Sequence, residues 1–145
     1  GVFLLLSGDY RVGAAGDYKI QANEVAIGIT MPFFGVEMCR QRLTPAHFNR
    51  AVINAESYPP EDAVVAGFLD RVVPPSELLD VARGIALELA KLNANARTAT
   101  KLRARAEALK AVRAAIEADA AALWQKAVQH RTADGDVPVV VELIA

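Results

Sequence analysis

The sequence has a single cysteine, Cys39, so it cannot form an internal disulfide. This thiol stands apart from the two histidines, His47 and His130, and no group of cysteines and histidines has the spacing of a metal site. We therefore predict no metal and interpret both histidines as surface or structural residues. A lone free thiol is typical of proteins in a reducing compartment, and we expect a cytoplasmic location.

The sequence also lacks a predominant charge and a long apolar run. Lys and Arg total 16 against 17 Asp and Glu, so the net charge is −1 and we predict no nucleic-acid partner. The early apolar run at residues 2–6 is far shorter than the roughly 20 residues of a membrane-spanning helix. It also lacks the basic leader and cleavage pattern of a signal peptide, so we predict no membrane association.

Hydrophobic residues make up 53% of the 145 residues, which is enough for one folded domain with a core of moderate size. The chain nevertheless opens directly on the apolar run at 2–6, without a polar lead-in. Such a run has little to pack against unless another segment precedes it. We therefore expect this sequence to be part of a longer polypeptide.

Turn residues and apolar patterns divide the chain into short strands followed by helices. Residues 2–6 are too few for their period to distinguish a strand from a buried helix. Alternating apolar residues predict short strands, at 10–14, 18–22 and 68–73. Proline, capping and periodicity signals predict helices, at 33–42, from Thr44-Pro45, from Pro60 to Gly67, from Ser76 and over 96–128. The basic residues of the last helix are interpreted as solvated surface: Arg97, Lys101, Arg103, Arg105, Lys110 and Arg113.

Glu24 is the one acidic residue whose surroundings raise a question. It lies in "KIQANEVAIGIT" (19–30), followed by apolar residues, and the nearest preceding cation, Lys19, is five residues away. From the residues alone, a structural carboxylate bound to a neighbouring N–H or arginine is the favoured interpretation. Glu37 is the second candidate for a catalytic carboxylate. Arg40, however, follows it three positions later, which is the spacing of an ordinary ion pair on a helix surface.

Two longer segments are similar to a known family. "EDAVVAGFLDRVVPPSELLDVARGIALELA" (61–90) resembles the segment after the active site in the crotonase superfamily, the enoyl-CoA hydratase/isomerase family. Upstream, "SGDYRVGAAGDYKIQANEVAIGITMPFFG" (7–35) resembles the strand–turn–strand–acid–proline passage of the same family. The resemblance covers residues 1–124. In this family the segment that contains Asp70 has a structural role, so we assign Asp70 no catalytic function.

The resemblance implies an α/β fold, a crotonase-like spiral of ββα units with its N-terminal part missing and a C-terminal α-helical trimerisation region. Residues 1–75 would be the C-terminal part of the core, 76–128 the helical region and 129–145 a tail of uncertain structure. It also implies an acyl-CoA substrate, with the coenzyme A thioester as substrate and no other cofactor. The expected partners are further copies, as a homotrimer or hexamer, and the N-terminal half of the same protein.

The resemblance also implies the chemistry of the site. Hydratases of this family use two glutamates, and here the first position falls on Phe3, which cannot transfer a proton, whereas the second falls on Glu24. This pattern is similar to the Δ3,Δ2-enoyl-CoA isomerase branch, in which one glutamate shifts a double bond in an enoyl-CoA by moving a proton from C2 to C4. An apolar setting would suit a carboxylate that both takes and gives that proton. The alternatives are an enoyl-CoA hydratase of fatty-acid β-oxidation and a non-catalytic acyl-CoA-binding homologue.

An enolate formed beside a thioester also needs backbone N–H groups that face its oxygen. The resemblance places one of them at Gly1 or at the residue before it, and the other in an upstream loop. The remaining residues implied for the site form the acyl pocket, with core packing as the alternative for the phenylalanines after the proline: Phe3, Met31, Pro32, Phe33 and Phe34.

Overall fold

The computed structural model describes the backbone of residues 1–133 and the side chains of residues 1–125. Seven helices and two strands make up this part of the chain, joined by two short 3₁₀ turns at Val25–Ile27 and Pro75–Glu77. In chain order the elements are α1 (Val2–Ser7), β1 (Val12–Ala14), α2 (Phe33–Arg42), α3 (Pro45–Val52), α4 (Pro60–Ala66), β2 (Arg71–Val73), α5 (Leu78–Ala90), α6 (Ala94–Ala104) and α7 (Ala106–Ala133). None of these helices combines the length and the apolar content that a bilayer-spanning segment requires.

The sheet of the described chain consists of β1 and β2, which pair in parallel with Gly13 opposite Val72. The predicted strands at 10–14 and 68–73 are confirmed in shortened form. The predicted strand at 18–22 is wrong, because only Ile20 pairs, in a single antiparallel bridge with Tyr58. Alternation of apolar residues there reflects one-sided packing on the core and not a ladder of strand hydrogen bonds.

The helices agree with the sequence where local signals are strong. The prediction of a helix at 33–42 is confirmed, and Pro45 and Pro60 occupy the first positions of α3 and α4. Gly67 ends α4 with a φ of 94°, where a Cβ would also approach the Arg42 carbonyl oxygen to 2.6 Å. Only glycine fits this position without strain.

Several boundaries differ from the prediction. The ambiguous run at 2–6 forms α1, and Leu6 is its buried residue. Ser76 does not cap α5, because Pro74-Pro75 opens a 3₁₀ turn and Glu77 becomes the N-cap. The long helix predicted over 96–128 is two helices separated at Arg105, and the second continues to Ala133. The remainder of the predicted tail, 134–145, lies outside the described residues.

Three basic residues from α6 and from the break before α7 pair with one carboxylate, that of Asp9. Asp9 accepts hydrogen bonds from Arg97 Nη2 at 2.9 Å and Lys101 Nζ at 2.7 Å, and Arg105 Nη1 lies 3.0 Å from its other oxygen. The hydrogen bond from Lys101 is the main reason that the pKa of Asp9 falls below its usual value. The three residues lie at the surface, as the solvated-surface interpretation expected, but they also fasten α6 and the break before α7 to the loop after α1.

The hydrophobic core lies between α1, α2, α3, α4 and the sheet. Phe68 is fully buried at its centre and contacts the Tyr58 ring, with 5.5 Å between the ring centroids. His47 packs edge-on against the same tyrosine and its Nδ1 lies 2.7 Å from the Thr44 hydroxyl. This histidine therefore has a structural role at the start of α3.

An ion pair between the buried Arg11 and the partly exposed Asp70 joins the starts of the two strands. The Arg11 side chain, 7% exposed, donates to Asp70 Oδ2 and Oδ1 at 2.9 and 2.8 Å and to the Gly67 carbonyl at 2.6 Å. The Arg11 backbone N–H donates to Asp70 Oδ2 at 2.8 Å, and the Asp70 N–H donates to the Arg11 carbonyl at the same distance. Burial alone would raise the pKa of Asp70, but the hydrogen bonds and charge of Arg11 outweigh it and hold that pKa below its usual value.

Asp70→Asn is expected to lower the free energy of unfolding by about 1–3 kcal/mol near neutral pH, because the buried Arg11 loses its charge partner, although solvent partly screens Asp70. The pKa of Asp70 is lower in the folded state, so the pair contributes fully above the unfolded-state pKa of about 3.9 and is lost as the pH falls through the folded-state value. Wild-type stability should therefore fall more steeply below about pH 4 than that of the variant. Urea denaturation followed by circular dichroism measures both effects.

The matched control is Asp17→Asn, because Asp17 is an exposed aspartate in the turn after β1. This variant should differ from the wild type by less than about 0.5 kcal/mol. Equal losses of unfolding free energy in the two variants would contradict the structural role of the ion pair. The same loss of stability on acidification in Asp70→Asn and in the wild type would contradict it too.

Candidate active site

Glu24 precedes the 3₁₀ turn Val25–Ile27, and its carbonyl oxygen accepts hydrogen bonds from the backbone N–H groups of Ile27 and Ile29. The turn directs the side chain inward, so the residue is half-buried. Its Oε2 atom is buried and has no hydrogen-bond partner within the described residues. This part of the chain therefore lacks the N–H or arginine partner that a purely structural carboxylate would need.

Cys39 lies on the buried face of α2, inaccessible to solvent, and its thiol is close enough to Glu24 to respond to the carboxylate charge. Burial, together with the negative charge of Glu24, raises the pKa of this thiol to about 11. The thiol is therefore neutral near pH 7 and does not compensate the charge of the carboxylate. Cys39 was not expected near the site, because it is 15 positions away and its sequence neighbours indicate only a helix.

The apolar residues that follow Glu24 do not enclose it. Val25, Ile27 and Ile29 are 44%, 60% and 55% exposed, although the carboxylate oxygen beside them is buried. The sequence suggested an apolar pocket made by these neighbours, and that part of the expectation is wrong. Instead they form an apolar surface next to the carboxylate.

Three of the five predicted acyl-pocket residues come together at the start of α2. The rings of Phe3 and Phe34 meet edge-on with centroids 5.1 Å apart. A Cβ on Gly35 would lie 2.7 Å from Phe3 Cζ and 3.1 Å from Met31 Sδ, so both side chains rest on the bare backbone of α2. The cluster of Phe3, Met31 and Phe34 is hereafter called the phenylalanine cluster.

The other two predicted pocket residues lie at its edge. Pro32 is half-buried and is the N-cap residue of α2, and the Phe33 side chain is 57% exposed. The backbone N–H groups of Phe33 and Phe34 donate to Asp119 Oδ1 and Oδ2, each at 2.9 Å. Asp119 lies on α7, more than 80 residues along the chain, and no sequence signal pointed to it.

Gly1, the predicted oxyanion-hole residue, is the N-cap of α1, and its carbonyl accepts from the Leu5 N–H at 3.2 Å. It lines an open cleft of about 420 Å³ together with two residues of α1 and four of the segment before Glu24: Val2, Leu5, Lys19, Ile20, Gln21 and Asn23. Space around Gly1 is open, with no atom within 4 Å of where a Cβ would lie. The glycine and the loop before Glu24 therefore border one cleft.

Within the described residues, no three His, Cys, Asp or Glu side chains gather as they would around a metal ion. The polar side chains that line the cleft at Gly1 are Lys19, Gln21 and Asn23, and the Glu24 carboxylate comes next in the chain. A carboxylate and the free amides of a helix start are the kinds of group that can move a proton next to a carbonyl.

The family model described as enoyl-CoA hydratase/isomerase matches residues 1–135 of this sequence. The chain belongs to the enoyl-CoA hydratase/isomerase family. Its short parallel sheet and helices are therefore a part of the α/β crotonase fold, and the fold expected from the sequence is confirmed.

Solved and curated relatives agree with this assignment. A crystal structure of an enoyl-CoA hydratase/isomerase family protein from Pseudomonas syringae is 52% identical with a TM-score of 0.80, over 81% of this chain and 51% of that one. Mouse mitochondrial enoyl-CoA delta isomerase 1 is 30% identical and the short-chain-enoyl-CoA hydratase of Clostridium acetobutylicum is 29% identical, each over 70% of this chain. The chain covers 35% and 38% of these two curated relatives, and about half of the solved one.

Gly35→Ala should push the phenylalanine cluster off α2, because its new methyl group would overlap the Phe3 ring, which Phe34 holds in place. We expect the free energy of unfolding to fall by about 1–3 kcal/mol, even though alanine favours helix. Thermal or urea denaturation of the purified protein measures the change.

Gly84→Ala in α5 is the matched control, since no atom lies within 4 Å of the place that its Cβ would occupy. There the better helix propensity of alanine should act alone and raise stability by up to about 1 kcal/mol. If the free energy of unfolding changes in the same direction and by the same amount in Gly35→Ala and Gly84→Ala, Gly35 has no special packing role.

Proposed function

We propose that this family member shifts a double bond in an enoyl-CoA thioester and that Glu24 is its single acid/base. The observation that carries the proposal is the buried Oε2 atom of Glu24, which has no hydrogen-bond partner within the described residues and directly follows Asn23, a residue that lines the cleft at Gly1. A buried polar atom without a partner costs free energy, so a fold retains one chiefly where it serves a function. The substrate, the activity and the assembly of the whole protein are part of this proposal.

In the proposed reaction the Glu24 carboxylate removes a proton from C2 of a 3-enoyl-CoA. The C2–H electron pair moves into the conjugated system, and negative charge develops on the thioester oxygen as an enolate. The protonated carboxyl then returns its proton to C4, and the double bond ends between C2 and C3. One group performs both transfers because the proton is collected and delivered along one face of the substrate.

The enolate oxygen requires backbone N–H donors. We assign one of them to the Gly1 position at the start of α1, where helix N–H groups lack intrahelical partners. The second donor would come from the upstream part of the crotonase fold. That part would also cover the exposed apolar residues Val25, Ile27 and Ile29 and exclude water from the carboxylate.

Enoyl-CoA hydratase activity is the second candidate, favoured by the similarity to the Clostridium hydratase. Addition of water to a double bond needs two groups that orient and activate the water. At the position of the first family glutamate this chain has Phe3, whose ring packs on Phe34 and offers no proton. The aromatic pair therefore favours isomerisation over hydration. A non-catalytic acyl-CoA-binding protein is the third candidate, and the buried carboxylate is the observation against it.

We also propose a homotrimer or a hexamer, assembled through the helical region, with the coenzyme A thioester as substrate and no further cofactor. Exposed apolar residues on this region are consistent with an interface: Leu79, Leu87, Leu102, Ile116, Leu123 and Trp124. A cytoplasmic location stays a prediction, since the mouse relative is named as mitochondrial.

Glu24→Gln is expected to lower kcat for isomerisation of a 3-enoyl-CoA by about 10³-fold, because the amide cannot accept the C2 proton. Binding of a saturated acyl-CoA should be nearly unchanged, since the substitution conserves shape. The measurement is the formation of the 2-enoyl product by the full-length protein, with the 3-hydroxyacyl product followed in parallel.

Glu37→Gln is the control, because Glu37 pairs with Arg40 on the surface of α2 at 3.3 Å. It should retain wild-type turnover. Full activity in Glu24→Gln would remove Glu24 from the mechanism, and efficient hydration of a 2-enoyl-CoA by the wild type would establish the hydratase. Acyl-CoA binding with no turnover in the wild type would establish the binding protein.

A further inference from the structure

Helix α2 begins without a cap of its own. Its N-cap residue is Pro32, whose side chain carries no hydrogen-bond acceptor, so the first N–H groups of the helix need a partner from elsewhere. Asp119 of α7 supplies it: Oδ1 accepts from the Phe33 N–H and Oδ2 from the Phe34 N–H, each at 2.9 Å. Each carboxylate oxygen therefore serves one backbone amide.

This cap has both the charge and the position that a helix start favours. A carboxylate at a helix N-terminus is stabilised by the helix dipole as well as by the two hydrogen bonds. Asp119 is half-buried between α7 and α2, whereas Glu117, the next carboxylate towards the start of α7, is exposed. Of these two residues, only Asp119 is placed to hold α2.

The two amides that Asp119 holds belong to residues implied for the acyl pocket. Phe34 carries the ring that packs on Phe3, and Gly35, the next residue, supports Phe3 and Met31. A shift at the start of α2 would therefore move the whole phenylalanine cluster. The connection between Pro32 and Glu24 is short, but Glu24 itself is fixed by the hydrogen bonds of its own 3₁₀ turn.

We propose that Asp119 is a positioning residue through which the C-terminal helix α7 fixes the wall of the acyl pocket and so sets acyl-chain selectivity. The proposal rests on the proposed function, since it takes the phenylalanine cluster to contact the acyl chain. Asp119 touches neither the reacting carbons nor Glu24. Its loss should change which chain length is preferred much more than it changes the proton transfer.

The experiment compares Asp119→Ala, Asp119→Asn and the control Glu117→Gln in the full-length protein. Hydrogen–deuterium exchange, followed in peptides that begin before Met31, reports the protection of the Phe33 and Phe34 amides without any substrate. Asp119→Ala should exchange there about tenfold faster, the effect of losing one cap. Asp119→Asn keeps one carbonyl acceptor and should recover part of the protection, and Glu117→Gln should match the wild type.

The second readout is the ratio of kcat/KM for a six-carbon and a twelve-carbon 3-enoyl-CoA. Asp119→Ala should change this ratio by about fivefold or more, mainly through KM, since a lost cap changes binding at the displaced wall. A purely structural role would only reduce the fraction of folded enzyme, which scales both substrates equally and leaves the ratio unchanged. Partial recovery of the ratio in Asp119→Asn is the third expected result.

Unchanged exchange at the start of α2 in Asp119→Ala overturns the proposal, and so does an unchanged ratio when exchange is faster. Failure of the proposed function looks different. In that case wild-type protein shows no isomerisation at all, and the ratio is measured from acyl-CoA affinities by calorimetry. If the ratio of the affinities for the two chain lengths is then the same in the wild type and in Asp119→Ala, the role of Asp119 in selectivity is overturned as well.

Discussion

The ion pair between Arg11 and Asp70 is the interaction on which the described structure depends. It joins two strands of only three residues each, and a parallel pair of that length would not be stable by itself. Arg11 reaches Asp70 and the Gly67 carbonyl together, so it fixes the end of α4 and the start of β2 in one set of contacts. Burying the Arg11 charge is unfavourable, and it is tolerated here because the guanidinium has partners in the partly exposed Asp70 carboxylate and the Gly67 carbonyl.

From this pair the structure extends to the candidate site by direct packing. Helix α1 ends just before Arg11, and its Phe3 ring packs on Phe34 of α2. Helix α7 packs on α2 in turn, held near its middle by Asp119 and just before its start by the contact of Arg105 with Asp9. The surroundings of the phenylalanine cluster are therefore built from elements far apart in sequence, which charged groups outside the cleft fasten together.

This arrangement explains which features the sequence could predict. Pro45, Pro60 and Gly67 act through local backbone geometry, so the starts of α3 and α4 and the end of α4 were predictable. The absence of a strand at 18–22 was not predictable, because an alternating pattern does not show whether a partner strand exists. The break at Arg105 was not predictable either, because it depends on Asp9, which is 96 positions away. Glu24 was found through the family resemblance, whereas its effect on the pKa of Cys39 and the cap from Asp119 are tertiary and left no local pattern.

The choice between isomerisation and hydration depends on what surrounds Glu24. Within the described residues one neighbour that responds to its charge is a thiol that stays neutral near pH 7, because burial and the glutamate charge raise the pKa of Cys39 to about 11. Such a neighbour neither donates a proton to water nor stabilises an attacking hydroxide. In the proposed function Phe3 stands at the position of the first family glutamate, and its ring packs against Phe34 and the bare backbone of Gly35. The proposed double-bond shift needs only one carboxylate, because that group can return the proton that it removes.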